Sequence, residues 1–430
     1  MTTLNSEKVF RDPILGFIHV DDSIILDLIN SHEMQRLRRI KHLGVANLVF
    51  HGGEQSRFQH SLGVYEISRR MIKALDDNEK FANERHWDHK NDLLVQAAAL
   101  LHDVGHGAYS HTFEHLFDTV HEQFTQRIIV DPSTEVNAIL KTVSNDFPKQ
   151  VAAVIGKNYP DKRVVQLISS QLDADRMDYL LRDAYYTGAE YGRYDIERIL
   201  RLMRPIENGF AFDIAGVHSI EDYVISRYQM YLQVYFHPVS RGMEVVLENL
   251  LIRAQEIFDK DPNSSIFFPI IRPIFALKNK IDIQDYISLD DSVFNTAFNI
   301  WQKVDDKILA DLSKRFLDRK PLKSIVLNEK TKTLIPNLRK KIKARGFDPK
   351  YYTGENDATD LPYESYSPKT GEEGIKFVYP DGQQAELSEL SPLVEAINGK
   401  ESIDRRFFFP REMLSDPEIN QLYLKYKKTY

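Results

Sequence analysis

The 430-residue sequence contains no cysteine. That absence removes disulfides, zinc–thiolate sites and thiol nucleophiles together, so any bound metal must sit on His, Asp and Glu. It also lacks any apolar run near the ~20 residues that a membrane-crossing helix needs. The start, MTTLNSEKVFRDP, has neither the basic opening nor the apolar stretch of a secretory signal. Cytoplasmic residence without a membrane partner is the expectation. A basic excess is missing too: 56 Lys and Arg stand against 63 Asp and Glu, for a net charge of −7. Broad affinity for nucleic acid or anionic membrane needs a basic face, so neither is expected. A small phosphate ligand stays possible, because a cation and a few local Arg or Lys act at short range. Repeats and low-complexity tracts are absent.

What remains is ordinary for a soluble globular chain, 42% hydrophobic and 28% charged, and long enough for two domains. The first two thirds read as helix after helix. Asn30 or Ser31 is expected to cap a helix through Met34, Leu37 and Ile40, with Gly44 as its stop. Arg57 to Leu75 places Val64, Ile67, Met71 and Leu75 on one stripe. VQAAALL, Val95 to Leu101, suits a buried helix, and more helices are expected over Val164–Ala184, Ile220–Gln233 and Met243–Phe258. Then the pattern changes. Glu329–Arg345 reads as a basic surface helix, followed by strands at Lys350–Thr353, Ile375–Tyr379, Ala385–Leu387 and Arg405–Pro410, with Asp381-Gly382 as a hairpin turn. The expected fold is mostly α, a helical body over 1–310 with a small C-terminal α+β part over 311–430.

Histidines and acids crowd into Gln59 to Glu122. His60 lies in RFQHSLGV, and His102 with Asp103 closes the apolar helix in ALLHDVGHGAYSH. His106, His111, His115, His121 and Glu122 follow closely, and SSQLDADRMDYLLRD adds Asp173, Asp175, Asp178 and Asp183. A divalent metal without thiolates takes imidazole and carboxylate, usually three or four of them. Two ligands at the end of a buried helix, joined by one from each of two other helices, is workable inside a bundle. Gly105 and Gly107 are read as freeing the backbone to turn beside such a site. Downstream, Asp175, Arg176, Tyr179, Arg182 and Asp183 share one helical sector. Acid, base and phenol on one face suit a metal and a phosphate ester.

Plainer readings stand beside these. A His-Asp dipeptide recurs by chance, a buried His is more often a hydrogen-bonded core residue than a ligand, and the polar face over Asp175–Asp183 could be a surface salt-bridge ladder. The apolar context weighs against them. HD follows AAALL directly, where an unsatisfied polar group is costly.

RLRRIKHLG, SRFQHSLGVYEISRR, ALLHDVGHGAYSHTFEH and DADRMDYLLRDAYYTG resemble the HD-domain superfamily of metal phosphohydrolases in its order H, HD, D. Within it they look like the deoxynucleoside triphosphate triphosphohydrolase branch, which includes bacterial tetrameric enzymes and the animal SAM and HD domain enzyme. The similarity runs from Lys8 to about Glu248, and the C-terminal part is similar to that of the bacterial, nucleotide-activated members.

The resemblance implies an HD helical bundle holding a divalent metal (Mg, Mn, Fe, Ni and Zn not distinguished) on His60, His102, Asp103 and Asp175. It puts His106, His111 and His121 around the α-phosphate, His111 being the acid for the departing 5′-oxygen and Glu114 and Glu122 the orienting carboxylates. Arg57, Arg176 and Tyr179 would touch phosphates or sugar, and Asp183 would accept from the 3′-hydroxyl. The implied reaction turns a deoxynucleoside triphosphate into deoxynucleoside and intact inorganic triphosphate. A homotetramer switched on by a nucleotide between subunits, dGTP or similar, is implied as well. Lys8, Val9, Gln35 and Arg38 would read that nucleotide and Arg198 would bind its phosphate. His42 departs from the pattern, standing near the sugar where relatives usually have Gln. Arg11 and Asn30 replace effector-contacting residues of the animal enzyme.

Two other readings compete. Other HD hydrolases act on nucleoside monophosphates, cyclic dinucleotides or guanosine tetraphosphate, but the GYP motif of the cyclic-dinucleotide class is not in this sequence. A catalytically weak nucleotide sensor or nucleic-acid-binding module is favoured only by the basic stretch LRKKIKARGF, Leu338–Phe347. Such a run is more often a solvated helix face.

Overall fold

Helix Arg57–Asn78 runs through the middle of the protein, because its sequence buries every side over one stretch: all positions from His60 to Ser68 are buried. The computed structural model describes residues 3–78, 87–207, 209–360, 363, 374–400 and 402–427. Helices Asp92–Leu101 and Ala174–Thr187 pack against Arg57–Asn78. Val64, Ile67, Met71 and Leu75 form the expected stripe and are all buried, each contributing about 1.5–3 kcal/mol. Asp92–Leu101 is apolar through Ala97, Ala98 and Ala99, small enough for close approach, and stops with His102 as its last half-helical residue. Each of the three helices therefore brings one or more polar groups to a common point at an apolar junction. Among the described residues, no helix is long and apolar enough to cross a membrane.

Several local expectations need correction. The segment after Ser31 is α-helical over His32–Arg36 and continues as a 3₁₀ turn over Leu37–Arg39, and Gly44 begins a second 3₁₀ turn, Gly44–Leu48, instead of ending a helix. Val164–Ala184 is not continuous: Lys162–Ile168 stops, and Asp173 starts a new helix by accepting the amides of Ser170 and Arg176 at 2.7 Å each. Lys350–Thr353 is not a strand. Pro349–Tyr352 is a short helix because Asp348 caps it and Pro349 fits its first turn. Glu329–Arg345 divides into Glu329–Lys332 and Ile335–Ala344, with Pro336 opening the second.

The sequence reading also missed an N-terminal hairpin, Thr3–Asp12 antiparallel to Gly16–Asp22. Asp12 Oδ1 accepts the amides of Ile14 and Leu15 at 2.9 Å each to close its turn. Near the other end, Lys376–Val378 and Gln384–Glu386 pair through the expected Asp381-Gly382 turn, Gly382 taking φ +87°. Lys376–Val378 also lies parallel to Gly209–Asp213, with Phe377 opposite Phe212, so this sheet joins residues on both sides of position 310. Strand Ser402–Phe409 lies between Lys323–Val326 and Gly354–Asp360. Its alternation sends Phe408 into the main core and Phe407 and Phe409 into a smaller cluster with Ile325, Leu338 and Ile342.

Candidate active site

At the junction of the three helices, His60 Nε2 stands 3.2 Å from His102 Nε2 and 3.0 Å from Asp175 Oδ1. His102 Nε2 is 3.7 Å from the same Asp175 oxygen and 3.3 Å from Asp103 Oδ1, while Asp103 Oδ2 lies 3.8 Å from His60 Nε2. The other ring nitrogens are already engaged. His102 Nδ1 donates to the Ala99 carbonyl at 2.8 Å, and His60 Nδ1 lies 2.8 Å from Asp178 Oδ2. With their Nδ1 protons committed, the two imidazoles aim lone pairs at each other across 3.2 Å. That arrangement is repulsive unless a proton or a metal cation sits between them, and the donors are the imidazole and carboxylate set a divalent metal takes. The residues present fit such an ion. Burial works against charge on His60, but Asp175 and Asp178 outweigh it and lift its pKa to about 10, so an arriving metal must displace a proton.

Asp178 is the functional residue that sequence reasoning left without a role. It is fully buried, and its carboxylate also receives Arg182 Nε at 2.7 Å and Nη2 at 2.8 Å, while Arg182 Nη1 reaches Asp12 Oδ2 at 2.9 Å. Arg182 therefore belongs to the support behind His60 and not to the open face expected for it. Gly63 makes room: a Cβ there would fall on the Asp178 carboxylate and the Arg182 guanidinium. Gly105 and Gly107 likewise serve close packing and not the turn, since a Cβ would meet the Thr125 amide or the Phe113 ring. The left-handed positions are instead Tyr109 (φ 55°) and Ser110 (φ 49°).

Around this centre, Arg57 ion-pairs with Asp103 and holds Ser110 Oγ at 2.7 Å. His106 Nε2 is 3.2 Å from Asp103 Oδ1, and its ring stacks on His121 at 3.8 Å between centroids. Glu114 Oε1 lies 2.7 Å from His121 Nδ1, and Glu122 Oε1 3.4 Å from its Nε2. The stacked pair is split. Burial, reinforced by Arg57, keeps His106 well below its usual pKa, whereas Glu114 overcomes burial and raises that of His121. The side chain of His111, which starts helix His111–Phe117, lies outside the described residues.

On the far side of His60, Asp183 accepts from Gln55 Nε2 at 2.9 Å and Tyr235 Oη at 2.7 Å, and burial pushes it up to about 7. Gln55 and Tyr235 were not foreseen; Tyr235 comes from a π-turn, Tyr231–Tyr235, that extends helix Val217–Met230. His42 Nε2 lies 3.5 Å from Asp183 Oδ1, with its ring 4.4 Å from that of His60. Tyr179 rings against Tyr235 at 6.3 Å, and Arg176 Nε is 3.8 Å from Asp173 Oδ2.

The residues expected to read an activator are spread out. Gln35 Oε1 accepts from Arg38 at 2.8 Å, and Arg38 lies over the Phe58 ring at 3.7 Å. Lys8 and Val9 stand on the exposed N-terminal strand, and Arg198 holds the Ala215 carbonyl at 3.1 Å. Among the described residues, no hydrogen bond or ion pair joins these three groups within one chain.

The family model of the HD domain matches residues 57–183, and that of the HD associated region matches 194–265. Over 419 residues the chain is 46% identical to the uncharacterized protein YwfO of Bacillus subtilis, covering 96% of this chain and 94% of that one. It is 28% identical over 267 residues to the deoxynucleoside triphosphate triphosphohydrolase SAMHD1 homolog of Dictyostelium discoideum, covering 58% of this chain and 50% of that relative. The crystal structure of a phosphohydrolase from Bacteroides thetaiotaomicron superposes with a TM-score of 0.80 at 27% identity, over 94% of this chain and all of that one, a coverage of 100%.

Proposed function

The chain belongs to the HD-domain phosphohydrolase family, and from that premise we propose that it hydrolyses deoxynucleoside triphosphates to deoxynucleoside and inorganic triphosphate. The observation that carries the reading is the facing of His60 Nε2 and His102 Nε2 at 3.2 Å beside Asp103 and Asp175, a donor set for one divalent cation. When bound, that cation supplies Lewis-acid stabilisation of phosphoryl oxygens and lowers the pKa of water.

The chain's own groups do the rest. Arg57, fixed by Asp103 and Ser110, offers a guanidinium for phosphate oxygens, and Arg176 adds a second. His121, drawn toward its charged form by Glu114 and flanked by Glu122, places positive charge beside neutral His106. His111 delivers the proton to the departing 5′-oxygen. Asp183, presented by Gln55 and Tyr235, accepts from the sugar 3′-hydroxyl, with Tyr179 and His42 against the sugar. The likeness to a triphosphohydrolase from Dictyostelium supports this choice among HD reactions. Activation by a nucleotide bound between subunits of a homotetramer, through Lys8, Val9, Gln35, Arg38 and Arg198, is part of the same proposal.

Within the basic stretch that favours a binding-only reading, Arg339 pairs with Glu355 at 3.1 Å and Lys341 with Asp416 at 3.2 Å and Glu418 at 2.5 Å, so two of its charges are met by acids. Phosphorus NMR of the products from all four deoxynucleotides, alone and in pairs with Mn²⁺ or Mg²⁺, tests the proposal. Tripolyphosphate is the expected first product, appearing faster when a second nucleotide is present. Pyrophosphate or free phosphate appearing first would assign another HD reaction.

A further inference from the structure

His42 has an environment that a sugar contact alone does not explain. Its side chain is only 10% exposed, and Nδ1 is buried without a hydrogen-bond partner among the described residues. Its Nε2 reaches Asp183 Oδ1 only at 3.5 Å, at the outer edge of hydrogen bonding. The residue is nevertheless firmly placed. The Lys41 amide donates to Asp291 Oδ2 at 2.9 Å, the His42 amide to the Gln55 carbonyl at 3.0 Å, and the Arg57 amide back to the Ile40 carbonyl at 3.0 Å. A buried imidazole held this way without satisfied nitrogens calls for a partner that is not a protein hydrogen bond.

Its neighbours supply one. Donor atoms of His42, His60 and Asp103 all lie within 4.8 Å of one another, as do those of His60, His102 and Asp175. Because Asp178 occupies His60 Nδ1, both groups must share the single atom His60 Nε2. The two sets have His60 in common, so His42 stands beside the centre that His60, His102 and Asp175 form.

We propose that His42 is a further ligand to the cation at His60, giving a donor set of three imidazoles and two carboxylates. This rests on the reading of that centre as a metal site. Imidazole suits first-row transition ions, whereas Mg²⁺ prefers oxygen, so the third imidazole selects an ion of the iron, nickel or zinc class over Mg²⁺. His42→Gln is the informative variant, since the amide keeps a donor toward Asp183 and removes the imidazole.

The test uses the full-length protein. In the Co²⁺-loaded wild type, proton NMR should show three hyperfine-shifted imidazole N–H resonances, and in H42Q two. Calorimetric titration of H42Q should show Ni²⁺ affinity at least about tenfold weaker with Mg²⁺ affinity unchanged. Two shifted resonances in the wild type overturn the proposal, even if H42Q does not fold. Equal Ni²⁺ affinity in the two proteins overturns it as well. A wild type that takes up no metal removes the metal reading itself, whereas metal held by two imidazoles removes only the role of His42.

Discussion

Asp178 Oδ2 lies 2.8 Å from His60 Nδ1, and the same carboxylate carries the buried guanidinium of Arg182, which also reaches Asp12. The orientation of one candidate ligand is thereby tied to an ion pair and to the N-terminal hairpin. A carboxylate behind a ligating imidazole fixes its tautomer and raises its basicity.

Asp178→Asn should therefore weaken metal binding by about 10–100-fold while keeping the shape of the site. Asp178→Ala should cost about 3–5 kcal/mol of stability, because it leaves Arg182 buried beside half of its counter-charge. Metal titration checks the first and urea unfolding the second.

Gly63→Ala should act through the same network. The new methyl would collide with Asp178 and Arg182, neither of which is exposed. A loss of about 3 kcal/mol, seen as a lowered Tm, is expected from such overpacking, together with weaker metal binding. An unchanged Tm would mean that the network yields easily.

Much of this was legible and some was not. Helix Arg57–Asn78 announced itself by its apolar spacing, and the HD pair by the alanines before it. Asp178 was hidden because a charged residue in mid-helix reads as solvated. Its partners are His60, far away in sequence, and Arg182, which is itself held by the distant Asp12. The N-terminal hairpin left a trace in the turn-forming Asp12-Pro13, but its strands have no strict alternation. Tyr351 and Tyr352 suggested a strand because of their side chains, and the cap at Asp348 overrode that preference. Gln55 and Tyr235 carried no local signal, being brought to Asp183 only by the fold.

Asp291 gives a pH-dependent prediction. It accepts the amides of Lys41 at 2.9 Å and Tyr109 at 3.1 Å, and burial, only partly offset by those bonds, raises its pKa to about 6. The folded state then holds this proton more tightly than the unfolded one. The stabilisation it brings is full at acid pH and is lost as pH rises from about 4 through about 6. Asp291→Asn lacks that titration, so its stability deficit against wild type should shrink by about 2 kcal/mol between about pH 4.5 and about pH 7. Urea unfolding of both proteins across that range measures the difference, and a constant deficit would count against the raised pKa.

Truncation after residue 310 should abolish stable folding. The cut removes Phe377, which pairs with Phe212, and strips helix Pro238–Lys260 of its contacts with Lys323–Val326 and Pro349–Tyr352. Insoluble or non-cooperatively melting protein is expected. A soluble fragment with a sharp melt would show that residues 1–310 are independent of the rest.

The most direct measurement is an anomalous difference map from crystals grown with Mn²⁺. The account predicts one strong peak within bonding distance of His60 Nε2, His102 Nε2 and the carboxylates of Asp103 and Asp175. A map with no peak there, or with its peak at a position touching none of those four side chains, would contradict it.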